Sequence, residues 1–312
     1  VNLGKASYHV ILYKQFNCFL LSAMETPEIL IDCQCENAEG PLWHPIEQRL
    51  YWADILAGHL FRYDPVTRTH EQIYSGEPVG GFTIQADGSL LLFKARGAIE
   101  CWSEGKLTTL IPELPEERET RFNDVIADPV GRVFCGTMPA PDRDARIYRL
   151  DTDGSISIVI EGITQANGMG FTRDRQHFYY TDSPEQKIYG CDYDEESGSL
   201  SNQRVVIATP PDQGEPDGMT VDAEGYIWSA RWDGGHLFRY APDGTEVLRI
   251  PFPAKKVTSI TFGGEDYTDM FVTTAGGNNR EQEGSGAGAV FHLNLGIQGV
   301  PEFLSQVAVP EE

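Results

Sequence analysis

Basic residues are scarce. The 312-residue chain carries 24 Lys and Arg against 47 Asp and Glu, a formal net charge of −23, with a pI near 4.6. Phosphate backbones and anionic lipid headgroups are held by clustered Lys and Arg, so no nucleic acid and no membrane surface is expected as a partner. Cysteines lack a pattern: Cys18, Cys33, Cys35, Cys101, Cys135 and Cys191 include no CxxC spacing for a zinc or redox site. Scattered thiols of this kind fit a reducing compartment, and a cytoplasmic location is expected. The alternative is a bridge from Cys18 to Cys33 or Cys35. Those last two stand two apart, which on a strand points both to one face. Long apolar runs are also missing. The stretch 9–23 is broken by Lys14, Gln15 and Asn17, too short for a bilayer and poor as a signal-peptide core. No segment shows a capped 3.6-residue apolar period, which speaks against helices. Nor is there a G-x-S-x-G elbow, which turns attention from a protein nucleophile to a metal.

What the chain does have is glycine, 32 residues of it, with 11% aromatic and 40% hydrophobic residues. That composition is globular, and the length suits two average domains or one large all-β or barrel domain. Residues 1–23 read as an upstream extension, since the chain begins with Val and Met24 stands where the periodic sequence starts. Residues 24–312 read as a single domain.

Internal repetition decides the architecture. Six segments open alike: Glu39-Gly40-Pro41-Leu42-Trp43, Gly80-Gly81-Phe82-Thr83-Ile84, Asn123-Asp124-Val125-Ile126-Ala127, Asn167-Gly168-Met169-Gly170-Phe171, Asp217-Gly218-Met219-Thr220-Val221 and Thr258-Ser259-Ile260-Thr261-Phe262. Their starts lie 41, 43, 44, 50 and 41 residues apart, close to the period of a propeller blade. Turns such as Ala86-Asp87-Gly88 and Asp222-Ala223-Glu224-Gly225 follow, then a second apolar strand, as in Leu90–Phe93 and Tyr226–Ser229. Third strands recur as His59–Tyr63, Arg146–Leu150 and His236–Tyr240, and fourth strands as Ser155–Ile160 and Thr245–Ile250. The fold class predicted is all-β: a six-bladed β-propeller with four-stranded blades around a central metal-binding channel. A two-Greek-key sandwich is the rival.

Rotation about the propeller axis places equivalent positions in a ring. Read in order, that ring is Glu39, Gly80, Asn123, Asn167, Asp217 and Thr258. Two carboxylates crowded on an axis need a cation or a shared proton. Oxygen donors suit Ca²⁺, Mg²⁺ or Mn²⁺, with Zn²⁺ or Fe²⁺ as further options. The expected ligands are Glu39, Asn167 and Asp217, with water completing an open, catalytic site. Taken singly, Asn167-Gly168 and Asp217-Gly218 are ordinary turn dipeptides and Glu39 an ordinary surface residue. Their shared ring position reverses that reading. Arg121, two residues before Asn123, should face the same mouth and bind substrate, or else pair with Glu119 or another acidic neighbour. Asn123 should bind substrate or a water at the metal. His236, near Trp232 and Asp233, matches His59 and reads as packed. Asp54 and Asp182, closing Tyr51–Asp54 and Tyr179–Asp182, read as satisfied blade residues.

Ala38–Trp43, Arg121–Asp124, Gly136-Thr137-Met138, Asn167–Met169 and Pro216–Met219, with Phe262–Gly264 and Met270–Thr273, resemble the regucalcin (senescence marker protein)/gluconolactonase family from about Glu28 to about Pro301. The resemblance implies a six-bladed propeller with one catalytic divalent metal that hydrolyses sugar-acid lactones. It carries metal ligation to Glu39, Asn167 and Asp217, and substrate or water contacts to Arg121 and Asn123. One departure is visible. The acidic pair that such proteins place shortly after Gly-Thr-Met is here Pro139-Ala140-Pro141, with Asp142 and Asp144 beyond, so sugar preference is open. The expected reaction is lactone opening to the aldonic acid, with Asp217 as ligand and catalytic base. A phosphotriesterase-like hydrolase and a non-catalytic Ca²⁺-binding or interaction propeller are the alternatives. The expected partner is a small sugar lactone, and the expected state a monomer or weak dimer.

Overall fold

A computed structural model describes residues 26–310. Six four-stranded antiparallel sheets follow one another around a ring. The first five blades span residues 38–75, 79–111, 122–163, 166–208 and 215–251, each in simple consecutive strand order. Blade six differs. Its three strands from 257–294 are completed on the outside by Glu28–Ile31, so the start of the described chain supplies the last blade's outer strand and closes the ring. The innermost strands touch in cyclic order, the last against the first. This is the six-bladed β-propeller that the repeat spacing predicts.

Alternation of apolar residues makes each blade two-faced, and neighbouring blades bury those faces against each other. The core is accordingly divided into six apolar clusters, one at each junction between adjacent blades. At the closure, Trp43 of blade one stacks on Phe271 of blade six with ring centroids 5.8 Å apart. The predicted turns are present: Gly88 donates to the Gln85 carbonyl and Gly225 to that of Asp222, both at 2.9 Å. Asn167-Gly168 and Asp217-Gly218, by contrast, lie inside strands Ala166–Phe171 and Glu215–Val221 rather than in turns. Their glycines serve close approach. A Cβ on Gly168 would sit 2.5 Å from Met219 N of the next blade, and one on Gly218 2.2 Å from Ser259 Oγ.

After blade six the chain crosses the axis as an extended strap. Ala223 in blade five donates to the Gln298 carbonyl, and Gly299 donates to Tyr267 in blade six. On the opposite side Ser305 donates to Ile84 of blade two at 2.8 Å and Gln306 to Gly131 of blade three at 2.9 Å. Glu302 and Phe303 thereby reach a narrow pocket of about 60 Å³ on the axis, which Asp124 also lines. Among the described residues no helix is long and apolar enough to cross a membrane.

Candidate active site

The innermost strands are irregular where the ring residues lie. The pairing register shifts between Glu39 and Leu42, Phe122 and Val125, Asn167 and Met169, and Pro216 and Met219, with matching shifts at Val79/Gly81 and Val257/Ser259. A bulge breaks the period of two and re-aims the side chains around it. Glu39, Arg121, Asn123, Asn167 and Asp217 all line one cavity of about 330 Å³, at the end of the axis away from the strap. Two ring positions do not take part. Gly80 packs too tightly on the Phe122 carbonyl for any side chain, and the Thr258 hydroxyl donates to the Ala38 carbonyl at 2.6 Å.

A hydrogen-bond chain orients the amides. Arg121 Nη1 donates to Asn123 Oδ1 at 2.7 Å and to the Phe122 carbonyl at 2.9 Å. Asn123 Nδ2 donates to Asn167 Oδ1 at 2.5 Å and to the Ala166 carbonyl at 2.9 Å. Asn167 Nδ2 donates to Ser183 Oγ at 2.7 Å, and Ser183 donates to the Pro216 carbonyl at 2.5 Å. A hydroxyl has one proton to give. Because Ser183 gives its proton to Pro216, it can only accept from Asn167, which turns Asn167 Oδ1 towards Asn123 and the cavity. Arg121 Nη1 bonds its neighbours rather than Glu119, and among the described residues no hydrogen bond runs from Nε or Nη2.

Electrostatically the site is short of cations. Burial, then the charges of Asp217 and Asp124, push the Glu39 carboxyl well above its usual range. Asp217 is raised likewise by burial, then by Asp124 and Glu215. Asp124 lies behind the ring, pushed up to about 7 by burial although Arg121 pulls it down. Arg121 is itself half-buried, and its desolvation lowers its pKa. Among the described residues no three His, Cys, Asp or Glu form a cluster; the donor set is two carboxylates and a carboxamide. All three donors are hard oxygens, their charge would balance a divalent ion, and the surrounding cavity leaves room for water and substrate. The residues present fit such an ion.

Other lining residues were not among the sequence candidates, although Asn37, Gln165 and Glu215 stand two residues before ring positions, as Arg121 does. Asn37 and Gln165 enter the cavity from loops held by the two carboxylates predicted to be satisfied. Asp54 accepts from Glu36 and Asn37 N–H at 3.0 and 2.9 Å, and Asp182 from Thr164 and Gln165 N–H at 2.9 and 3.2 Å. Leu56, Met138, Ser183, Glu215 and Trp232 complete the wall. His236 is packed, as expected, its Nδ1 2.5 Å from the Gly234 carbonyl. Asp142 and Asp144 are exposed in a turn and do not line the cavity.

The sequence pattern described as SMP-30/Gluconolactonase/LRE-like region matches residues 37–276. The chain belongs to this family. Within it, the chain is 48% identical over 287 residues to pentonolactonase XacC of Haloferax volcanii, covering 89% of this chain and 97% of that one. It is 34% identical over 286 residues to regucalcin of Danio rerio, covering 88% and 97%. Among solved structures, a luciferin-regenerating enzyme superimposes with a TM-score of 0.82 at 26% identity, over 90% of this chain and all of that one. The family match covers all six innermost strands, which carry the cavity.

Proposed function

We propose that the protein hydrolyses an aldonolactone to the open-chain aldonic acid, using one divalent cation held by Glu39, Asn167 and Asp217. The observation that carries this reading is the convergence of two buried carboxylates and an orientation-fixed carboxamide on one open cavity. Its similarity to a pentonolactonase supports the substrate class and makes five-carbon lactones the first to test. When bound, the cation supplies Lewis acidity and balances the charge that develops on the lactone carbonyl oxygen. Asp217 takes a proton from the attacking water, and that proton passes to the ring oxygen as its bond to the carbonyl carbon breaks. Arg121 binds substrate oxygen through Nε and Nη2, and Asn123 holds both Arg121 and Asn167 in place. Trp232, Leu56 and Met138 offer apolar walls to the sugar carbons.

Free thiols at Cys33, Cys35, Cys101, Cys135 and Cys191 support a reducing, cytoplasmic setting. The extension expected at residues 1–23 lies outside the described residues, and the propeller works as a monomer or weak dimer. The proposed bridge partner Cys18 also lies outside the described residues.

Proton release from γ- and δ-aldonolactones tests the function, with metal-stripped protein compared against aliquots given Ca²⁺, Mg²⁺, Mn²⁺, Zn²⁺ or Fe²⁺. Metal-dependent acid production is expected, falling to below about a thousandth of the wild-type rate in Asp217→Ala. Folded protein that releases no acid with any metal or lactone would sink the proposal and favour a phosphotriester substrate or a binding role.

A further inference from the structure

The segment from Asp32 to Asn37 carries the chain from the closing strand of blade six to the innermost strand of blade one. Within it Cys33 and Cys35 flank Gln34, whose φ of +55° is left-handed. In an extended strand two such side chains would share a face but stand too far apart for contact. The left-handed residue curls the backbone instead, and the two sulfurs come to 3.2 Å, Cys35 S–H donating to Cys33 Sγ. Cys33 in turn donates to the Gly288 carbonyl at 3.2 Å. The loop is pinned where it lies: Cys35 N–H donates to Gly288 at 2.9 Å, and the Cys35 carbonyl accepts from Gly276 at 3.2 Å.

The two thiols are unequal. Cys35 is buried among Ile31, Trp43, Trp52 and Val290, whereas Cys33 is partly open to solvent. Trp52 is fully buried, and its indole N–H has no oxygen or nitrogen partner among the described residues. That N–H favours the thiolate form of both cysteines. The Cys35 hydrogen bond lowers the Cys33 pKa against the effect of burial, while the same bond and burial raise that of Cys35. An accessible, more acidic thiol beside a buried, less acidic one is the arrangement of an attacking and a resolving cysteine.

We propose that Cys33 and Cys35 form a reversible redox site, closing to a disulfide within this loop by exchange with a small-molecule disulfide. Cys33 thiolate attacks one sulfur of the small disulfide, forming a mixed disulfide and releasing one thiolate. Cys35 then loses its proton and attacks Cys33 Sγ, releasing the second. Two protein thiols are oxidised, and one small disulfide is reduced to two thiols. The bridge closes a very short loop and crosses no blade junction, so its effect is local.

The test equilibrates the full-length, fully reduced protein across ratios of reduced to oxidised glutathione, alkylates the remaining thiols and maps the cysteines by mass spectrometry. Expected is the loss of two alkylatable thiols, with two hydrogens missing from the peptide that carries Cys33 and Cys35. Dithiothreitol reverses it, and a change in tryptophan fluorescence tracks it, absent in Trp52→Phe. Cys101, Cys135 and Cys191 stay reduced. Cys35→Ser traps one glutathionyl group on Cys33, and Cys33→Ser leaves Cys35 unmodified. Full alkylation of Cys33 at every ratio, or a bridge from Cys18 to either cysteine, overturns the proposal, and the wild-type map decides this without any variant.

Discussion

Ser183 has a single proton, and the Pro216 carbonyl takes it. From that follow the orientation of the Asn167 amide and the supply of an oxygen, rather than an NH₂, to the proposed metal site. Groups that orient a ligand in this way typically matter by 10–100-fold in affinity. Ser183→Ala is therefore expected to weaken metal binding by about 10–100-fold, measured by calorimetric titration, while saturating metal restores most of kcat. Unchanged affinity would show that Asn167 needs no such support. The five site residues named from the sequence were legible because each opens an innermost strand, or lies two residues before such an opening, and rotation sends those positions to one axis. Gln165, two residues before Asn167, meets the same rule; Ser183 and Trp232 do not. They lie on loops and second-strand ends that no repeat marks, and Ser183 acts by a bond to the next blade, 33 residues away.

At the scale of strands, repeat spacing predicts six blades, but the register shifts that aim ring side chains into the cavity have no sequence signature of their own. Two glycines hinted at them. Gly168 and Gly218 read as turn formers, yet they stand where inner strands approach too closely for a Cβ. The strap was equally hidden, because residues after blade six repeat nothing. Its half-buried Glu302 carboxyl lies at the base of the channel, accepting from Thr220 Oγ1 at 3.4 Å and pushed up to about 7 from an ordinary 4.5 by desolvation. The folded protein thus holds this proton more tightly than the unfolded chain does. Stability from this group is greatest below pH 4.5, falls as pH rises towards 7, and stays low above it. A shift of that size corresponds to about 3 kcal/mol at most. Glu302→Gln should raise the thermal midpoint at pH 8 and leave it nearly unchanged at pH 4.5. A variant that gains nothing at pH 8 would mean that this carboxyl is solvated in the native state.

For the whole molecule the dominant quantity is the net charge of −23. Exposed pairs such as Arg62 with Glu71 at 2.8 Å and Lys187 with Glu185 at 2.8 Å tie up some of the acid, but the excess remains and repels itself. Raising salt from about 0.1 M to about 1 M shortens the screening length from about 10 Å to about 3 Å. The midpoint of thermal unfolding should climb by several degrees over that range. A midpoint that falls with salt would assign the larger share to the exposed ion pairs.

The strap that ties blades five and six to blades two and three also makes the channel a blind alley, so whatever enters by the Trp232 side must leave by it. An uncharged lactone comes in, and an anion is made on the floor, with Asp124 behind it and a strongly negative protein around it. The reaction therefore drives its own clearance: the charge created by ring opening favours departure over return. The enzyme becomes a turnstile with one gate, turned by the product.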